Sequence, residues 1–103
     1  MQAHPRITQP SRHLPADVHE VMLAPARGGF TAFVWYAGAG GSMKPIPLMG
    51  CQPECEAWLR ETLHEDHGFV ADAAAVLARL LFGALGLRPP SPLAEAAGGG
   101  SGA

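Results

Sequence analysis

Apolar and polar positions change period partway along this chain, dividing it into a β half and an α half. Residues 18–24, VHEVMLA, read as a strand that Pro25 stops, because proline fixes its φ and brings no N–H to a ladder. A glycine turn, ARGG, leads into residues 30–37, FTAFVWYA, the strongest strand pattern present. Its aromatic and β-branched residues suit a pleated surface. Apolar side chains fall on both of its faces, which predicts a central or doubly covered strand. The turn between the two runs predicts an antiparallel hairpin. GAGGS (38–42) supplies a second turn, and the two prolines of MKPIPLMG (43–50) restrict that segment to an edge strand or an extended stretch.

From Pro53 the apolar spacing becomes helical. Proline is favoured at the first helical position, and Glu54 and Glu56 complement the positive end of the helix dipole. Trp58, Leu59, Thr62 and Leu63 form the stripe expected to face inward, and Glu56 is spaced i,i+4 from Arg60. Gly68 is the expected left-handed cap, folding Phe69 back on Leu63, with His64 and His67 in the last turn. A second helix is predicted over 70–85, where Ala73, Ala74, Leu77, Leu80, Leu81, Ala84 and Leu85 recur at helical spacing. Gly86 closes it and Pro89 forbids its continuation.

The predicted class is α+β: an antiparallel meander of two or three strands followed by two helices packed on one face. Residues 1–16, with Pro5, Pro10 and Pro15, read as a flexible N-terminal arm. Residues 17–87 form the single domain, and 88–103 read as a disordered Pro/Gly-rich tail. The apolar stripe on the second helix is wider than a two-layer fold of this size covers, which predicts a homodimer through that helix.

Length and charge narrow the function classes. A chain of 103 residues holds one domain. Its formal net charge is −2, its only lysine is Lys44, and its arginines are scattered from Arg6 to Arg88. Nucleic-acid binding, which concentrates basic side chains on one face, is disfavoured. The longest apolar run, 69–87, contains Asp72 and Arg79 and so reads as a core helix, not a membrane span. The first fifteen residues hold no apolar core of the signal-peptide kind, and two cysteines make no disulfide framework. The expected compartment is the reducing cytoplasm.

Candidate chemistry concentrates in GCQPECEAWLRETLHEDHGF, residues 50–69, which holds Cys51, Cys55, His64 and His67. As zinc ligands these would be C-x3-C-x8-H-x2-H, shorter than finger spacings in both intervals. One straight helix also separates Cys55 from His64 by about 13 Å along its axis, too far for one ion. As a redox pair, Cys55 would gain from the first helical turn and lose to the flanking carboxylates of Glu54 and Glu56. GAGGSMK lacks the order and the following helix of a phosphate loop, and Ser42, His19 and Asp17 lack a nucleophile elbow. RPPSP (88–92) fits the P-x-x-P pattern but reads as a stiff linker.

With no catalytic residues and no cofactor assigned, the expected function is a non-enzymatic protein-interaction module. It would be a small acidic regulator or inhibitor, such as a phage- or mobile-element-encoded one, acting on another protein with a basic surface. Trp35, Tyr36 and Trp58, with Leu77 and Leu81 on the second helix, are the residues expected to meet a partner. The alternative is a metal- or thiol-dependent protein using Cys51, Cys55, His64 and His67, with zinc as its cofactor.

Overall fold

The computed structural model describes residues 4–38 and 40–85. The chain runs β1 (Arg6–Thr8), β2 (Val18–Ala26), β3 (Gly29–Tyr36), β4 (Ser42–Met49), α1 (Gln52–His67) and α2 (Ala71–Ala84). The four strands form an antiparallel meander in the order β1-β2-β3-β4. Both helices lie on one face of it, α1 over β3 and β4, α2 over β1 and β2. The α+β class and the strand-then-helix order match the expectation.

The strand count is larger by one. β1 comes from the segment read as an arm, with Arg6, Ile7 and Thr8 opposite Met22, Val21 and Glu20. Gln9 pins the loop between β1 and β2. Its side-chain Nε2 donates to the carbonyls of Pro15 at 3.0 Å and Val18 at 2.9 Å, and its Oε1 accepts the Ser11 N–H at 2.9 Å. Leu14 is thereby held in the core at 7% exposure. β2 also runs past Pro25: the Leu23 N–H donates to the Pro5 carbonyl, so the Pro25 nitrogen two residues on faces that same side, beyond the β1 ladder, and takes no bond from β3. The predicted tail from residue 88, with Gly86 and Pro89, lies outside the described residues.

Gly28, at φ +78, closes the two-residue turn between β2 and β3, and the register continues as Ala26 opposite Gly29. Beyond that turn β3 is central, as its composition predicts, but only one of its faces is covered. On β4, Pro45 and Pro47 are two residues apart, so both turn their N-atoms to the same side, away from β3. A bulge between Val18 and Glu20 shifts the alternation by one residue. That shift keeps Val18 on the helix side, fully buried, with Val21 and Leu23.

The core lies between sheet and helices. Val21, Leu23, Ala32, Val34, Ile46 and Leu48 meet Cys55, Leu59 and Leu63 of α1 and Ala74, Leu77, Ala78, Leu81 and Phe82 of α2. Phe30 meets Phe82 edge-to-face with ring centroids 5.0 Å apart. Gly68 adopts φ 75°, ψ 16°, and the Phe69 N–H reaches back to the Leu63 carbonyl at 3.0 Å. Phe69 is buried at that corner, as its placement after the cap predicts. No helix among the described residues is long and apolar enough to cross a membrane.

Candidate functional site

The four soft-ligand residues are not brought together. Cys51 caps the N-terminus of α1 and Cys55 lies one turn inside it, whereas His64 and His67 occupy its last turn. An intact sixteen-residue helix spans about 24 Å, so no single ion meets both ends. Among the described residues, no group of three or more His, Cys, Asp or Glu side chains is placed to share a metal ion. Each of the four has its own environment. Cys51 is exposed and Cys55 fully buried, and both are free thiols. Burial pushes the Cys55 thiol pKa up, and Cys51 and Glu54 push it further. That is opposite to the activation redox catalysis requires. The Cys55 S–H donates to the Gly50 carbonyl at 3.5 Å.

At the other end of α1, a His64 ring N–H donates from Nδ1 to the Phe69 carbonyl at 2.7 Å and so braces the cap. His67 stacks on Tyr36 with ring centroids 5.9 Å apart, and its Nδ1 is hydrogen-bonded to the Tyr36 hydroxyl. Burial lowers the His67 pKa; Asp66 opposes that shift and Lys44 adds to it. Burial, then Asp17, raises that of Tyr36. Both groups are therefore held neutral, a pairing that joins the end of β3 to the end of α1. Around Arg12, His13, Val70 and Asp72 runs an open groove of about 280 Å³, in which no nucleophile and base converge.

The five residues expected to meet a partner do not form one surface. Leu77 and Leu81 are fully used inside the monomer, at 0% and 1% exposure, because α2 leans its Leu–Leu–Phe side onto the sheet. The outward side of α2 carries Asp72, Val76 and Arg79, with Leu80 half exposed beside them. Tyr36 faces the helices. Trp58 corrects the predicted stripe: Cys55, Leu59 and Leu63 take the inward positions at strict i,i+4 spacing, and Trp58 is turned out at 45% exposure. The Glu56–Arg60 pair does not form, and among the described residues the ion pair present is Arg6 with Glu20.

Two surfaces remain. On α1, Glu54, Trp58, Glu61 and Glu65 are all exposed and lie within about 60° of arc, counting 100° per residue. The second surface is the sheet face that the helices leave bare. Register places Met22, Phe33 and Pro45 in one cross-strand row, and Glu20, Trp35 and Met43 in the next. Phe33 and Trp35 sit with ring centroids 5.8 Å apart. Of this face, residue type alone singles out Trp35 as a partner residue. The signal that finds the rest is the alternation itself, Met22 with Phe33 and Trp35 on one side and Val21 with Val34 on the other.

Neither a protein-family model, nor a curated protein, nor a solved structure matches this chain, so its chemistry is read from these two surfaces.

Proposed function

We propose that this chain is a non-enzymatic protein-interaction module, a small acidic regulator or inhibitor that covers a basic surface of another protein. The observation that carries the reading is the solvent face of α1. There Glu61 stands one turn beyond an indole that is 45% exposed and Glu65 a further turn on, while Glu54, one turn before it, also accepts the Cys51 N–H at the helix cap. Carboxylates on a helix face attract a basic partner over a Debye length and set its orientation. Trp58 adds what the charges lack: apolar area to desolvate and a π face for a lysine or arginine. The exposed free thiol of Cys51 is in keeping with a reducing cytoplasm, where we place the chain.

The test is capture from a native-host lysate on the immobilised chain, repeated with Trp58→Ala and with Glu61→Lys, at low and high salt. The expected partner presents a basic patch and binds less tightly as salt rises. Trp58→Ala should weaken binding on the order of thirtyfold, the scale of a buried aromatic anchor. Capture that ignores both salt and Glu61→Lys would overturn the proposal.

A further inference from the structure

The geometry points to the bare face of the sheet as a homodimer interface: it packs on the same face of a second copy across a two-fold axis. Aromatic and methionine side chains mark interface cores, and here Met22, Phe33, Trp35 and Met43 stand on two adjacent rows. Both helices pack on the other side of the sheet; Met43 is 41% exposed, while Met22, Phe33 and Trp35 are half-buried, the two aromatic rings lying against each other.

Charge selects the occupant. The ionised side chains on this face, Arg6 and Glu20, lie 3.6 Å apart, and Glu20 also accepts the Thr8 hydroxyl at 3.3 Å. The face is thus neutral in itself. It offers a charged partner nothing to read, and two copies meet without like-charge repulsion. Lys44, by register with Val34, belongs to the opposite side.

Area fits as well. Strands of three, nine, eight and eight residues, at the usual rise and spacing, give a footprint of roughly 450 Å² per copy. Two footprints come to roughly 900 Å² before side-chain relief is counted, the size of a weak, reversible interface rather than of a permanent one. Face-to-face packing of twisted antiparallel sheets is an established geometry. The sheet edges do not compete with it, since β1 has three residues and β4 turns Pro45 and Pro47 outward. This dimer replaces the α2-mediated one predicted from sequence, because Leu77 and Leu81 are already buried in the monomer. It does not depend on what α1 binds.

Sedimentation equilibrium of the full chain over a concentration series, with the far-UV spectrum recorded for each variant, decides the matter. The native chain and Leu80→Glu should move from monomer to twice the monomer mass as concentration rises. Trp35→Glu and Met43→Glu should stay monomeric with unchanged spectra. Met43→Glu is the safer probe, since its side chain already stands in solvent on an edge strand. A native chain that remains monomeric into the hundreds of micromolar overturns the inference. So does a dimer that Leu80→Glu dissociates and Met43→Glu leaves intact.

Discussion

Burial favours the neutral imidazole at His67, the form whose Nδ1 can accept the Tyr36 hydroxyl. Burial depresses the His67 pKa below its ordinary 6.5, so in acid the unfolded chain takes up this proton before the folded chain does. The contribution of the pair to stability is therefore fully present above 6.5 and is lost as pH falls from there through the folded-state value. Urea midpoints should drop on acidification below 6.5, and His67→Gln, which keeps an acceptor without titrating, should flatten that drop. At neutral pH, Tyr36→Phe should cost about 1 kcal/mol, the usual net worth of such a bond. If the native chain and His67→Gln lose stability in parallel, the pairing does not govern the acid limb. The cysteines give a second residue-level expectation. Cys51 is exposed, whereas Cys55 is buried with its pKa raised. Iodoacetamide followed by mass spectrometry should find one adduct on the folded chain and two in denaturant. Two adducts at equal rates on the folded chain would contradict the core assignment of Cys55.

At the scale of elements, glycines report which approaches are tight. A Cβ built on Gly29 would lie 2.0 Å from the Leu48 carbonyl oxygen, so alanine there must push β3 and β4 apart. On α2, a Cβ on Gly83 meets nothing within 4 Å. Thermal melts should separate the two: Gly29→Ala loses on the order of 2–4 kcal/mol, while Gly83→Ala gains about 0.5–1 kcal/mol from helix propensity. Equal effects at both sites would mean that the β3–β4 approach is looser than described. The elements themselves were largely legible. Pro53 and Gly68 bracket α1, and β3 announces itself by its aromatic content, because local chemistry dictates both. β1 was not legible, since three residues between prolines carry no period, and what holds them is the ladder to β2 and the Gln9 amide. Trp58 was misplaced because apolarity alone draws it inward. Cys55, Leu59 and Leu63, a turn apart, are a better match to the core. The bare sheet face was half legible: Trp35 stands out by type, but its neighbours from other strands come beside it only once the register is set.

For the whole molecule, a single layer of two helices on a four-stranded sheet leaves one sheet face without a core of its own. Domains of this size reach only a few kcal/mol from one core. A face-to-face pair would bury a second apolar layer between two sheets and point both α1 faces outward, doubling the acidic surface offered to a basic partner. Dimer formation adds stability by mass action, so the melting temperature becomes concentration-dependent. Raising the protein concentration a hundredfold above the dissociation constant should add up to about 2.7 kcal/mol of linkage, shared between the two copies. For a domain this small that raises Tm by several degrees. Met43→Glu should melt at one temperature across the whole series, at the value the native chain approaches on dilution. A native Tm that stays fixed over that range would show that the apolar rows of Phe33 and Trp35 are tolerated in water rather than covered by a second copy.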